Sequence, residues 1–337
     1  MEITPTYSPL VSVIIPVKNG ASTLDACLRS IKRSYYKNYE VIVVDDHSTD
    51  NTLEIARHFQ CAVVQAEEGK GANAARNLGA KAAQGEVFMF LDSDVIVNRE
   101  TILGIVEILE EEDIDAVVGI YTAKHRHETF VSQYKNLWVR YSYMKSSAVI
   151  DWLFGAISGI KRSAFEKFDG FNSELLARHG HDDIELGKRF ARANLNIVLN
   201  MEIEVEHLKH YTLGSFIRNE FHRSAGFAEL AAKFGETSKS VTSGFVNVYP
   251  TFILSTVYSI FVVAVVVATV LGYFNGWYMA AGAVALYLVM NIRFLNYLEQ
   301  VRGLFAMIVM IPFLFIDHVT CFVGSIVGLL KGFLKKK

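Results

Sequence analysis

The chain has 337 residues, which is enough for one large domain or two ordinary ones. Its 33 lysine and arginine residues nearly balance its 35 aspartate and glutamate residues, so there is no basic excess for binding nucleic acid. The three cysteines, Cys27, Cys61 and Cys321, have neither a metal-ligand spacing nor a pairing pattern, which indicates buried thiols rather than disulfides.

The first 240 residues alternate between short apolar runs and amphipathic segments. Runs rich in β-branched residues predict strands, and apolar residues at helical spacing predict helices. Strands that alternate with helices form βαβ units, so we expect an α/β domain with a mostly parallel sheet. The predicted strands are 11–17, 40–45, 61–65, 87–91, 115–121, 155–160, 197–199 and 203–205; the predicted helices are 23–36, 52–59, 72–83, 99–112, 128–146, 163–168, 181–190 and 213–234.

The predicted helix 128–146 carries aromatic residues at a spacing of three and four, with Lys135, Arg140 and Lys145 among them. This pattern is typical of an amphipathic helix that faces a protein core. Aromatic and basic residues together also suit a helix that rests on lipid headgroups. Both interpretations stay open from the sequence.

The C-terminal part is apolar, and no charged residue occurs from Ser240 to Ile292. A bilayer crossing takes about 20 residues, so we predict a transmembrane hairpin with spans at about 249–272 and 277–297. The expected organisation is a catalytic domain at 1–240 and a membrane domain at 241–337. The N-terminus lacks the layout of a signal peptide, so the protein is expected to be a multi-pass protein of the cytoplasmic membrane with its first domain in the cytoplasm.

A further apolar segment, 304–330, lies between two basic stretches. Arg293 and Arg302 precede it, and Lys331 and residues 335–337 follow it, so the positive-inside rule places both ends in the cytoplasm. Pro312 and the pair at 317–318 interrupt the segment, which favours a re-entrant, paired or interfacial arrangement over a third span. Asp317 is then expected at the membrane surface.

Two carboxylates follow the apolar strand 87–91. Asp92 and Asp94 are two residues apart, so an extended backbone directs both side chains to the same side. Ligands of α/β sheets bind outside the carboxyl ends of the strands, and oxygen donors suit Mg²⁺ or Mn²⁺ that carries a diphosphate. An ordinary turn is the alternative, because Asp and Ser are common turn residues. No P-loop and no dinucleotide-binding glycine motif follows the first strand.

Four blocks with these carboxylates carry a resemblance to a known family. The chain resembles the family 2 inverting glycosyltransferases, whose catalytic domain has the GT-A fold. The resemblance implies this fold for about residues 11–190, and membrane-anchored members carry C-terminal transmembrane helices. The matching blocks are VIIPVKN (13–19), VIVVDDHSTD (41–50), GANAARNLG (71–79) running on to LDSD (91–94), and DDIEL (182–186).

The resemblance implies how a nucleotide-diphosphate sugar binds, with UDP-sugars foremost. Pro16, Asn19 and Asp46 would hold the nucleoside. Arg76 would lie near the donor. Asp92 would contact the ribose or the sugar.

The same resemblance implies the metal site and the chemistry. Asp94 would bind Mg²⁺ or Mn²⁺, and His207 lies where some relatives place a metal or phosphate ligand. Asp183 would be the catalytic base, and Asp182 replaces the glutamate that is commoner there. Further diphosphate or acceptor contacts are expected from Asp182, Arg218 and Arg223.

The function expected from this resemblance is inverting, metal-dependent sugar transfer in the synthesis of cell-surface glycans or glycoconjugates. The membrane hairpin favours a lipid-linked sugar or a glycolipid as acceptor. A polyprenyl-phosphate sugar synthase and a non-catalytic membrane sensor of nucleotide sugars are the alternatives. The Q-x-x-R-W motif of processive synthases is absent, which disfavours a polymerase.

Overall fold

The computed structural model describes residues 8–68, 70–172, 182–235, 246, 248–273 and 275–334. They form two compact units, which are described separately here. The first unit comprises Met1–Arg126 and Ser146–Lys209, and the second comprises His127–Lys145 and His210–Lys337. The second unit thus contains the helices predicted at 128–146 and 213–234 together with the apolar C-terminal part. The domain boundary predicted from the sequence, at residue 240, assigns both helices to the first domain.

The first unit is a sheet flanked by helices. Its strands have the order β3-β2-β1-β4-β8-β6-β9-β5, and β7 pairs with β9. The elements are β1 (Val11–Val17), α1 (Leu24–Lys32), β2 (Tyr39–Asp45), α2 (Thr52–His58), β3 (Ala62–Gln65), α3 (Gly71–Ala82), β4 (Val87–Leu91), β5 (Val95–Val97), α4 (Thr101–Glu110), β6 (Ala116–Tyr121), then, after a segment of the second unit, β7 (Val149–Ile150), β8 (Ile157–Lys161), α6 (Arg162–Lys167), α7 (Asp182–Arg192) and β9 (Ile197–His207).

The sheet is mixed rather than mostly parallel. Strands β3, β2, β1 and β4 run parallel, as predicted, but β8 pairs antiparallel with both β4 and β6. The two short strands predicted near the end of the unit are one strand, β9. Its register against β6 shifts between Val118 and Ile120, and the Asn200 side chain accepts hydrogen bonds from the backbone of Glu202 and Ile203 within the irregular stretch.

The core of the first unit lies on both faces of the central strands. All residues of β4 and β6 are buried, as expected of strands covered on both sides. Phe88 and Phe90 pack against Phe165 with ring centroids 5.5 and 5.2 Å apart. This packing fixes the carboxyl end of β4, where the predicted acidic residues begin.

The second unit is helical. Its elements are α5 (Phe130–Tyr143), α8 (Leu213–Phe234), α9 (Pro250–Val270), α10 (Trp277–Met290), α11 (Ile292–Arg302) and α12 (Leu304–Leu334). Helices α9 and α12 are long and apolar enough to cross a membrane, with mean hydropathies of 2.5 and 2.1 over their most apolar windows. The second predicted span is not one straight helix. It consists of α10 and the start of α11, whose axes are bent by 67° against each other.

The expectation that Pro312 and the 317–318 pair interrupt the last apolar segment is wrong. Helix α12 runs through all three residues without a break. Asp317 and His318 are fully buried and bonded within the unit: Tyr134 Oη donates to Asp317 Oδ2 over 2.8 Å, and Tyr287 Oη lies 2.6 Å from His318 Nδ1. Buried polar groups with partners do not need an interfacial position, because the partners replace water.

Candidate active site

The carboxyl ends of β1, β2 and β4 lie side by side and form one wall of a cavity. The backbone N–H of Asp46 donates to the carbonyl of Val17 over 2.8 Å, which joins the ends of β1 and β2. The cavity has a volume of about 350 Å³. Four of the predicted donor or metal residues line it together with the first turn of α3: Pro16, Asp46, Asp92 and Asp94, with Gly71 and Ala72.

The loop after β2 carries a buried hydrogen-bond acceptor. The Asp46 Oδ1 atom is buried and has no hydrogen-bond partner among the described residues, while Lys18 Nζ lies 3.4 Å from Oδ2. Asn19, which is predicted to contact the nucleoside, holds this loop. Its backbone is left-handed (φ 51°), its Oδ1 accepts from Thr49 N over 2.8 Å, and its N–H donates to Ser48 Oγ over 2.8 Å.

Arg76 and Asp92 form an ion pair at the end of β4. Arg76 Nη2 donates to Asp92 Oδ1 over 2.9 Å, and the guanidinium carbon lies 5.7 Å from the centre of the Phe171 ring. Burial raises the pKa of the Asp92 carboxyl, the neighbouring Asp94 adds to this, and the Arg76 charge only partly opposes it. The ion pair therefore holds one oxygen of Asp92 in place.

Asp94 faces His207, which reaches the site from β9. Residue Val95 of β5 is paired with His207 in antiparallel register, and His207 Nε2 lies 3.4 Å from Asp94 Oδ2. The imidazole stacks on Tyr121 with ring centroids 4.5 Å apart. Burial alone would raise the pKa of Asp94, but His207 and Lys209 outweigh it and lower that pKa. A carboxylate oxygen and an imidazole nitrogen are thus brought together as two candidate metal ligands.

Asp183 lies at the start of α7 and is 8% exposed. Its carboxylate accepts two backbone hydrogen bonds, from Gly155 N to Oδ2 and from Ile184 N to Oδ1, both over 2.8 Å. Helix α7 is held in place by an ion pair of 2.5 Å between the buried Lys188 and the half-exposed Asp151. Both carboxylate oxygens therefore have fixed directions, as a base that abstracts a proton requires.

Gly155 brings Arg76 and Asp183 together. A Cβ atom at Gly155 would lie 2.7 Å from Arg76 Nη2 and 3.4 Å from Asp183 Oδ2, so the guanidinium and the carboxylate share the space that a side chain would fill. Nothing in the sequence indicated that Arg76 approaches Gly155 so closely. Arg76 is thus hydrogen-bonded to Asp92 and also lies close to Asp183.

The remaining predicted residues have other positions. Asp182 begins α7, but its side chain lies outside the described residues. Arg218 and Arg223 lie on α8, in the second unit. Arg223 donates to Glu220 from Nη2 over 2.6 Å and stacks over Trp138 at 4.5 Å, so its guanidinium has partners within that unit.

Comparison with known proteins identifies the first part of the chain. Residues 12–168 match glycosyl transferase family 2, and residues 137–212 match the family described as the N-terminal domain of galactosyltransferase. The chain carries a family 2 glycosyltransferase domain. The predicted family and enzyme class are thereby confirmed for the domain.

Similar proteins include several glycosyltransferases. Glycosyltransferase GlyG of Streptococcus pneumoniae is 38% identical over 119 residues, which are 34% of this chain and 40% of that protein. Glycosyltransferase AglE of Haloferax volcanii is 34% identical over 139 residues, which are 37% of this chain and 46% of that protein. The chain thus spans less than half the length of these two relatives.

A solved structure confirms the GT-A fold. The mannosyltransferase PcManGT from Pyrobaculum calidifontis, in complex with GDP-Man and Mn²⁺, superposes with a TM-score of 0.58 at 18% identity. The match covers 98% of this chain and 89% of that one. The roles of individual residues in this family 2 domain stay predictions.

Proposed function

We propose that the protein is an inverting, metal-dependent glycosyltransferase that moves a sugar from a nucleotide diphosphate to a hydroxyl group of a membrane-associated acceptor. The acceptor class is a lipid-linked sugar or a glycolipid. The observation that carries this proposal is the Asp183 carboxylate, oriented by Gly155 and Ile184 and placed beside the Arg76–Asp92 pair.

The donor side of the proposal rests on the cavity at the ends of β1, β2 and β4. The buried Asp46 Oδ1 atom lacks a partner among the described residues, and a nucleobase N–H would satisfy it. Helix α3 begins at this cavity with Gly71 and Ala72, and the N-terminus of a helix favours a phosphate through its free N–H groups. These features support the binding of a nucleoside diphosphate with a purine or a pyrimidine base.

The metal side rests on Asp94 and His207. A carboxylate and an imidazole are ligands that Mn²⁺ accepts, whereas Mg²⁺ prefers oxygen ligands alone, so the donor set favours Mn²⁺. A divalent cation at these two residues would neutralise the diphosphate as the leaving group departs.

The proposed transfer is a single displacement. Asp183 accepts the proton of the acceptor hydroxyl, whose oxygen forms the new bond to the anomeric carbon. The bond from that carbon to the diphosphate breaks, and the nucleoside diphosphate leaves with the electron pair. Because attack and departure occur on opposite faces, the configuration inverts. Arg76 keeps Asp92 in position throughout.

The membrane side of the proposal rests on the apolar helices of the second unit, which suit an acceptor that resides in a bilayer. An acceptor phosphate would need no strong base, so the oriented Asp183 favours a hydroxyl acceptor over the polyprenyl-phosphate alternative.

The test uses membranes that contain the full-length protein and a panel of labelled nucleotide sugars, with Mn²⁺ or with EDTA. The lipids are then extracted into organic solvent and counted. Metal-dependent label in the lipid phase is the expected result, and mild acid should leave it there or release it as part of a saccharide larger than the transferred sugar. Release of the label as the single transferred sugar would indicate a phosphate acceptor, and nucleotide binding without any transfer would indicate the sensor.

A further inference from the structure

Helix α12 has the length and hydropathy of a transmembrane span, but the helices packed against it carry charged residues. Its 31 residues would extend about 46 Å at 1.5 Å per residue, well beyond the ~30 Å hydrocarbon core. One face of α12 is buried in the second unit over its whole length, and the helices that cover this face carry charged residues.

The first half of α12 packs against α5 and α11. Phe305 and Phe313 lie 6.3 Å from Phe130 and Tyr134 of α5, measured between ring centroids. Helix α11 packs on the same half and carries Arg293, Glu299 and Arg302. A span through the bilayer centre would bring these charges toward hydrocarbon, which is costly for each of them.

The second half of α12 packs against α8 through three glycines. A Cβ atom at Gly324 would clash with Ser224, and one at Gly328 would clash with the Ala225 carbonyl. A Cβ atom at Gly332 would lie 2.8 Å from Ala232 Cβ, so the two backbones stay close over at least eight residues. Helix α8 carries Arg218, Glu220, Arg223, Glu229 and Lys233 and is not apolar enough to cross a membrane.

The apolar hairpin meets α12 near its middle. The Phe252 ring at the start of α9 lies 4.5 Å from the His318 ring, and the Tyr287 ring at the end of α10 lies 5.3 Å from the Phe315 ring. On either side of this contact, α12 exposes a stripe with a spacing of three and four residues. The stripe consists of Phe305, Ile308, Val323, Ile326, Leu330 and Phe333, which are 44% to 74% exposed.

Both ends of α12 carry positive charge. Arg302 precedes it, and Lys331 and residues 335–337 close the chain. Cationic residues at both ends favour the anionic cytoplasmic surface of a membrane and disfavour transfer of either end across it.

We infer that α12 lies in the plane of the cytoplasmic leaflet. Its exposed stripe contacts the acyl chains there, and the charged helices α5, α8 and α11 cover its other face toward the cytoplasm. The described helix that crosses the bilayer is then α9, with the shorter α10 packed against it, and the end of α12 lies on the same side as the start of α9. An amphipathic surface backed by charged residues and flanked by cations binds to membranes in this manner.

The test is a depth measurement on the full-length protein in vesicles of phosphatidylcholine and phosphatidylglycerol. The half-buried Cys61 is replaced by Ser, and a spin label is attached to single cysteines at Ile308, Ile326 or Phe333 of α12. Depth is read from the relaxation of the label by oxygen and by a water-soluble nickel complex. Val257 and Val267 on α9, 55% and 47% exposed, are the matched transmembrane controls.

An in-plane helix gives similar depths at the three α12 positions, whereas the control Val257, which is nearer the middle of α9, lies about 6 Å deeper than Val267 at 1.5 Å per residue. A spanning helix would place Ile326, which is nearer its middle, about 10 Å deeper than Phe333, and this result would overturn the inference. A second readout is a cysteine added after Lys337. An impermeant thiol reagent is expected to label it in inside-out vesicles but not in intact cells, and labelling from outside the cell would contradict the in-plane position.

Discussion

Replacement of Glu220 by Gln tests the charge network in the second unit. Glu220 is fully buried, and its carboxylate contacts Lys135 Nζ at 2.5 Å and Arg223 Nη2 at 2.6 Å. Burial would raise the pKa of Glu220, but the charges of Arg223 and Lys135 outweigh it and lower this pKa to about 2. Glu220 is therefore ionised at neutral pH and balances two buried cations.

The size of the effect follows from Lys135. Burial lowers the pKa of its ammonium group, Arg223 lowers it further, and Glu220 is the first group that opposes both. Without Glu220, the Lys135 ammonium group would be a buried charge without its carboxylate partner, and the folded protein avoids this by releasing the Lys135 proton. From an unfolded pKa of about 10.4, this release costs about 4.6 kcal/mol at pH 7, which limits the part of the loss of unfolding free energy that Lys135 causes. Breaking a buried ion pair typically costs about 3–5 kcal/mol, which agrees with this limit.

The loss of stability in Glu220→Gln is expected to depend on pH. In Glu220→Gln the unfolded state binds one more proton than the folded state, because Lys135 is neutral when folded and charged when unfolded. Stability of the variant then rises with pH below the unfolded pKa of lysine. The gap to the wild-type protein is expected to shrink by about 2.7 kcal/mol between pH 7 and pH 9, at about 1.36 kcal/mol per unit.

The assay is equilibrium unfolding in detergent micelles, followed by tryptophan fluorescence, since Trp138 lies under Arg223. The double variant Glu220→Gln with Lys135→Met has no proton to release, so it is expected to be more stable than the single variant at pH 7 and to lose the pH slope. Glu107→Gln, on the exposed side of α4, is the matched control. A gap that does not change with pH, or a double variant as unstable as the single one, would refute the reasoning.

Three further variants test the site and the helix packing. Gly155→Ala displaces the Arg76 guanidinium and should lower kcat about 10-fold or more with little change in protein stability, measured by transfer kinetics and thermal unfolding; unchanged kcat would contradict it. His207→Ala should raise the Mn²⁺ concentration for half-maximal activity about 10–100-fold in a metal titration, and an unchanged requirement would remove His207 from the metal site. Gly328→Leu should destabilise the second unit, whereas Gly282→Leu, with open space around its Cβ position, should not; equal thermal unfolding of the two would argue against close α8–α12 packing.

The parallel half of the sheet could be predicted from the sequence because its strands are apolar and evenly spaced. Val11–Val17 and Val87–Leu91 were predicted to the residue. The three-residue strand Val95–Val97 was missed because so short a segment has no periodicity of its own. Its pairing with the distant His207 arises only in the folded sheet.

The candidate site was predictable as a list of residues but not as a set of contacts. The local pattern indicated Asp92 and Asp94, which follow a strand, and the family resemblance indicated Asp183. The contact between Arg76 and the surroundings of Asp183 depends on the missing side chain of Gly155, and no local pattern encodes it. The role of Asn19 in holding the loop after β2 likewise depends on partners about thirty residues away.

The apolar helices were visible in the sequence, but their packing was not. The charge-free run around α9 is long enough to predict a span from composition alone. Asp317 looked like an interfacial residue because its partner Tyr134 lies 183 positions earlier in the chain. When the partner of a buried polar residue is distant in the sequence, the local sequence pattern predicts that the residue is exposed.

The most direct test of the proposed catalytic role compares the wild-type protein with Asp183→Asn in the membrane assay. The asparagine keeps the size of the side chain but cannot accept the proton of the acceptor hydroxyl. Asp25→Asn, on the exposed side of α1, is the control for the loss of a carboxylate. The account predicts that label from the nucleotide sugar no longer reaches the lipid phase in Asp183→Asn, while nucleotide binding is retained and the control stays active. Substantial transfer by Asp183→Asn would contradict it.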